Sequence, residues 1–253
     1  MTTLQDYQID TAALLHDQSN LFTSLYMLNR WINEARDQVA MDSGCLRCLA
    51  AGQAPFGSIA QAGTAVPGGA IPGQPPTNGF QTIAGQELYP YAFANQYVAA
   101  QNRGVRGVGD VVGVSVSWGG AVRPGLNWKP WDELQAYARS YNVGVFGWPM
   151  FWSNTGSGEN GKVWLWPAPT AAAEMEWDCL CLPTPLASND DYEPIPPTYA
   201  KAVKFWAASI AFESSNREAR AQRMQERYLQ TGITAAGASE RMRVPDYYAD
   251  LNW

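Results

Sequence analysis

The sequence predicts an α+β protein: an α-helical bundle interrupted by an inserted antiparallel β-barrel or sandwich-like domain, with extended arms. Three observations carry that reading. One apolar stripe of helical period lies near the start of the chain and a second lies near its end. Between them, β-rich runs are separated by short glycine-rich turns. The strands fall between the two helical regions, so the β domain reads as an insertion. The expected divisions are 1–49 (first helical part), 50–79 (Gly/Pro-rich arm or loop), 80–189 (β domain), 190–229 (last helices) and 230–253 (C-terminal arm).

Leu4 to Asp17 reads as a short helical lead-in, with Leu4, Tyr7, Ala12 and Leu15 loosely spaced. Asp17-Gln18-Ser19-Asn20 offers N-cap chemistry before a stronger helix. In that helix Phe22, Leu25, Leu28, Ile32, Ala35 and Val39 form one apolar stripe, and Gly44 marks its end. Residues 50–79 hold seven Gly and five Pro in thirty positions. A run of this kind is either a surface loop or an arm that orders against a neighbouring subunit.

Strand chemistry begins at Phe80. Phe80–Ile83 and Leu88–Tyr91 read as a strand, turn, strand unit. Val112, Val114, Val116 and Trp118 alternate through a longer strand, and Trp131 to Tyr141 forms a short helix with Trp131, Leu134 and Ala138 on one side. Val143–Trp152 and Val163–Trp166 add strands. The run Glu174–Leu182 alternates Met175, Trp177, Cys179 and Cys181 with Glu174, Glu176, Asp178 and Leu180. It reads as the partner of Val163–Trp166 in a hairpin closed through Pro167 and Pro169. An acidic, proline-rich connector, Asn189–Pro197, precedes a helix with Tyr199, Val203, Trp206, Ala207, Ile210 and Ser214 along one face and Pro197 suited to its first turn. A polar helix, Arg217 to Leu229, carries Arg220, Arg223 and Arg227 on one side.

This order of parts resembles the head-to-tail adaptor proteins of tailed bacteriophages. The resemblance rests on a strand ending Trp166-Pro167-Ala168-Pro169, an alternating second strand, Pro185-Leu186, the acidic connector, then Tyr199-Ala200-Lys201-Ala202-Val203 with Trp206-Ala207-Ala208, and a polar helix. Leu28-Asn29-Arg30-Trp31-Ile32-Asn33-Glu34-Ala35-Arg36 is similar to the first helix of the same family. The resemblance implies a non-enzymatic virion protein that forms a twelve-subunit ring beneath the portal. Such a ring joins capsid to tail and continues the DNA channel, with portal protein above and tail nozzle or tail-fibre proteins below. The Gly/Pro-rich stretch departs from that family, whose first helix leads to the sheet by a shorter path.

Composition bounds the alternatives. The formal net charge of −6 argues against a nucleic-acid-binding surface, which needs clustered Lys and Arg, and suits a channel through which DNA passes without specific binding. No apolar run has membrane-spanning length, and the N-terminus lacks a basic n-region, so no membrane partner is expected and assembly in a cytoplasm is. The single histidine, His16, reads as a solvated surface residue. Cys45-x-x-Cys48 and Cys179-x-Cys181 read as buried thiols and not as zinc ligands. Gly104-Val105-Arg106-Gly107-Val108-Gly109 leads into a strand and lacks the helix start that would hold a phosphate. No cofactor or metal is expected. The best enzymatic case is Glu174, Glu176 and Asp178 on one strand face beside Trp164 and Trp166. That pattern opens an alternative as a carbohydrate-binding or glycan-processing module of a virion or cell surface.

Two surfaces are expected to engage partners. Opposite-sign patches, Arg220, Arg223 and Arg227 on one side and Asp190, Asp191 and Glu193 on the other, suit a head-to-tail seam between identical subunits. The aromatic-rich end, with Val244, Tyr247, Tyr248, Leu251 and Trp253, suits a docking arm, since aromatics serve as interface anchors.

Overall fold

The structure, a computed structural model, describes residues 2–16, 23–51, 80–117, 125–140 and 146–240. It divides into two units: a helical unit of residues 1–45 and 185–253, and a β unit of residues 46–184. In the chain the β unit lies between the two stretches of the helical unit, with boundaries at 45/46 and 184/185.

The helical unit contains α1 (Leu4–Leu15), α2 (Leu25–Ser43), α5 (Pro197–Ser214) and α6 (Glu218–Glu240). A capping box between Thr3 and Asp6 opens α1. Ser24, and not the 17–20 segment, caps α2 by accepting from the Met27 amide; residues 17–22 lie outside the described residues. Gly44 closes α2 in the left-handed conformation, φ 58°, where a glycine carries no Cβ penalty. Leu28, Ile32, Ala35 and Val39 of the expected stripe are buried, together with Trp31, Arg36 and Ala40, while Leu25 is 52% exposed. Pro197 occupies the first turn of α5. The buried face of α5 is rich in alanine, with Ala200, Ala202, Ala207, Ala208 and Ala211 beside Tyr199, Val203 and Phe212. Trp206 is only half-buried and packs on Tyr228 of α6, ring centroids 4.8 Å apart. The last helix continues to Glu240, so the stretch from 230 to 240, expected as part of an extended arm, is helical.

Among its described residues the β unit contains α3 (Ala92–Gln101), α4 (Trp131–Ser140) and nine strands in three sheets. The first sheet is antiparallel, with β9 (Met175–Pro183) between β1 (Arg47–Ala51) and β3 (Val105–Val116). The second runs β2 (Leu88–Pro90), β7 (Lys162–Trp166), β6 (Phe151–Thr155), β4 (Asn127–Trp128), the last pair parallel. A third, parallel pair joins β5 (Phe146–Gly147) to β8 (Ala168–Pro169). This is a mixed α/β fold with N- and C-terminal helices and internal sheets, and two of its strand pairs are parallel where an antiparallel barrel or sandwich-like domain was expected.

Three differences have clear physical causes. Pro167 and Pro169 have no amide to donate, so the chain leaves β7 at that point, pairs β8 with β5, and enters a different sheet as β9. The expected β7–β9 hairpin does not form. In β3 the register slips between Val111 and Gly113, which reverses the faces: Val111 is buried and Val112 is 47% exposed. Phe80–Ile83 makes only an isolated bridge, Gln81 to Glu174, because the Tyr89 hydroxyl takes the Ile83 amide and Thr82 bonds the 171–173 backbone. The alternation of β9 is as expected, with Met175, Trp177, Cys179 and Cys181 inward. Trp177 sits in a ring cluster with Phe80 (5.0 Å, edge-on) and Tyr91 (6.5 Å). Gly161 lets Tyr91 in, since any Cβ there would fall 2.1 Å from its ring. Of the Gly/Pro-rich segment, Ala50 and Ala51 belong to β1, and the remainder lies outside the described residues.

Candidate functional site

Helical spacing of three and four residues brings Arg220, Arg223 and Arg227 to one side of α6. All three are exposed. They line a cleft of about 480 Å³ with Leu14, His16, Phe212 and Met224, and the Arg220 guanidinium lies 5.8 Å over the Phe212 ring. No ion pair to the three is found among the described residues. Glu226 and Gln230 complete a mostly polar lining in which the three guanidiniums outnumber the one carboxylate. His16 is exposed at the α1 terminus, in agreement with the surface reading.

The acidic connector divides into two parts. Asp190 and Asp191 are exposed. The Asp191 carboxylate accepts from the amides of Ala187 (2.6 Å) and Ser188 (2.7 Å). Those amides, Ser188 foremost, hold its pKa below the usual carboxylate range. Glu193 is a correction to the expected seam. Its carboxylate forms a fork-to-fork pair with Arg36 of the same chain, Nε to Oε2 2.9 Å and the second nitrogen to Oε1 3.0 Å. The side chains are 0% and 3% exposed, so Glu193 has no free face for a neighbour.

Arg36 anchors the connector, and its sequence signal was available. It falls on the apolar stripe of α2, four residues after Ile32 and three before Val39, where an arginine needs a buried partner. Asn33, one turn earlier, bonds Arg36 through Oδ1 at 3.0 Å and exchanges two bonds with the Leu186 backbone, 3.1 and 2.8 Å. Together these clamp both ends of the 186–193 segment to one helix. Burial, then the adjacent Glu193 carboxylate, pushes the Tyr7 phenol well above its ordinary value. A second polar contact, Tyr228 Oη donating to Asp42 at 2.6 Å, ties α6 to α2.

The β unit offers little for chemistry. Cys48, Cys179 and Cys181 are buried and Cys45 half-buried, all as free thiols. The hydrogen bond from Cys48, with burial, holds Cys181 far above the usual thiol range, and burial does the same to Cys179. Neither is a ready thiolate. Among the described residues no three His, Cys, Asp or Glu side chains are grouped to hold a metal. The premise of the carbohydrate alternative also changes. The carboxylate strand β9 and the tryptophan strand β7 belong to different sheets. Trp164 is buried against Trp131, centroids 4.5 Å apart, and Asp178 is bidentate to Arg47, 2.6 Å to Nε. The other arm residues, Val244, Tyr247, Tyr248, Leu251 and Trp253, lie outside the described residues. No helix among the described residues is long and apolar enough to cross a membrane.

Comparison with known proteins adds one match. No curated protein matches the chain. A family model described as SU10 adaptor protein matches residues 2–249, which takes in both the helical unit and the inserted β unit. The chain therefore belongs to the SU10 adaptor family of phage head-to-tail adaptors, and its role is structural, not enzymatic.

Proposed function

We propose that the chain assembles as a closed ring of twelve copies beneath the portal at the head–tail junction of the virion, after synthesis in the host cytoplasm. In this reading the ring receives tail nozzle or tail-fibre proteins on its far side. Its acidic balance lets DNA pass without specific binding. The seam between copies brings Arg220, Arg223 and Arg227 of one subunit against Asp190 and Asp191 of the next. The C-terminal arm, with Val244, Tyr247, Tyr248, Leu251 and Trp253, anchors each subunit to a partner, the portal or an adjacent copy.

The observation that carries the seam is the arginine cleft on α6: three exposed guanidiniums on one helix face with no ion-pair partner among the described residues. A ring made by a head-to-tail contact requires two unlike patches on every copy, and the exposed acids of the connector supply the second. Charge exchange tests it. Arg223→Glu should abolish ring formation, and adding Asp190→Arg in the same chain should restore part of it. Asp190 is the better exchange site, because Asp191 also holds two local amides. A double variant that recovers nothing, with each single variant folded, contradicts the seam.

A further inference from the structure

A second concave surface of the helical unit lies away from the arginine cleft in character. It is a groove of about 400 Å³ lined mainly by Val39 of α2, Tyr199 and Ala202 of α5, and Leu229 and Gly232 of α6, with Asp42 also in its lining. Its lining is predominantly apolar. Leu229, which lines it, is 53% exposed. Asp42 is held by Gln38 (2.9 Å) and by Tyr228 (2.6 Å), so a fixed carboxylate stands in the lining beside Ser43 and Tyr228. Gly232 has open space where a Cβ would project, so no side chain fills the groove from that helix position.

We infer that this groove receives the C-terminal arm, residues 241–253, of a neighbouring copy of the same chain. The inference rests on the ring reading above and names the receptor that reading leaves open. Three observations fit this occupant. The arm presents Tyr247, Tyr248, Leu251 and Trp253, rigid apolar anchors of the kind that fill such slots. Its first residues include Arg241 and Arg243, cations that complement Asp42, while Asp246 and Asp250 come later in the segment. Its root is carried by α6 about two turns beyond Gly232. Glu240-Arg241-Met242-Arg243-Val244 holds no Gly, Asn or Pro with which to reverse the chain at once, and the first turn-former is Pro245. An extended segment of this length spans roughly 40 Å, ample to reach an adjacent subunit. Each copy then gives one arm and receives one, as a head-to-tail ring requires.

The test uses full-length protein mixed from two preparations, assembled with portal. One preparation is isotopically heavy and unmodified; the other is light and carries a photo-crosslinking benzoylphenylalanine in place of Tyr248. After irradiation, light arm peptides should be joined to heavy peptides containing Val39–Ser43, Tyr199–Ala202 or Leu229–Gly232. Leu229→Glu in the heavy copies, a change at an exposed position, should lower that yield about tenfold with the melting temperature unchanged. Crosslinks only within light chains, only to portal, or to the arginine cleft overturn the inference. The ring itself is weighed in the same sample. A ring with crosslinks elsewhere removes this inference alone, whereas the absence of any ring removes both it and the reading beneath it.

Discussion

The helical unit and the β unit are stabilised by different means. In the β unit the centre is aromatic: Trp177 is fully buried against Phe80 and Tyr91, and Phe80 packs in turn on Tyr97, centroids 4.9 Å apart. In the helical unit the central face of α5 is largely alanine. Small side chains let helices approach closely, but each buries little area, so apolar burial per residue is lower. Polar contacts fill the difference in specificity: Arg36 with Glu193, Asn33 with the Leu186 backbone, Tyr228 with Asp42. The aromatic core has polar contacts of its own, Tyr91 and Asn154 both donating to Asp110 (2.8 and 3.0 Å), but a core of large rings rests mainly on apolar burial. A lean one depends on its polar pins, and these also hold the connector that carries Asp190 and Asp191.

The comparison is sharpened by removing the same kind of group from each side. Trp177→Ala should lower stability by about 4–5 kcal/mol in chemical denaturation, since the ring is wholly enclosed and its neighbours are too large to collapse into the space. A loss under about 2 kcal/mol would show that the aromatic cluster is not the centre of the β unit. Arg36→Ala should cost about 3–4 kcal/mol, because it strands a buried carboxylate. The paired change Arg36→Met with Glu193→Leu should recover most of that loss. Equal instability of the single and paired variants would mean that the pin acts through something other than charge. Trp206→Ala should cost only about 2 kcal/mol, since that ring is half-buried against Tyr228. A loss as large as that at Trp177 would erase the distinction between the two cores.

Much of this division is legible in the residues. Gly44 announces the end of α2, Pro197 the start of α5, and the period-two pattern of β9 its two faces. What escapes the sequence is decided by contacts distant in the chain. Ala92–Gln101 is apolar around most of its circumference, so it shows no stripe, yet it forms α3 by burying Ala94, Tyr97 and Val98. The partner of β9 is chosen by pairing with β1 and β3 across more than sixty residues, which no local turn signal encodes. The acidic connector shows the same limit at the candidate site. Asp190, Asp191 and Glu193 look alike in sequence, and only the buried guanidinium of Arg36 separates Glu193 from the other two.

The pH response of the connector follows from that separation. The Asp191 carboxyl sits below its ordinary range, held by the Ser188 and Ala187 amides. Its contribution to holding the turn is therefore complete above the unfolded carboxylate range and is lost as pH falls through the lowered folded value. Protection of the Ala187 and Ser188 amides, relative to intrinsic exchange at each pH, should fall on acidification, and Asp191→Asn should remove that dependence. Unchanged protection across the carboxylate range would mean that the turn does not rest on the charge.

The central claim is that this chain forms a ring on a portal through surfaces of its helical unit. Mass photometry of the full-length protein, alone and with purified portal, tests it most directly. The account predicts a discrete complex whose added mass corresponds to twelve copies, lost on Arg223→Glu. Full-length protein that stays monomeric beside an intact portal ring would contradict it.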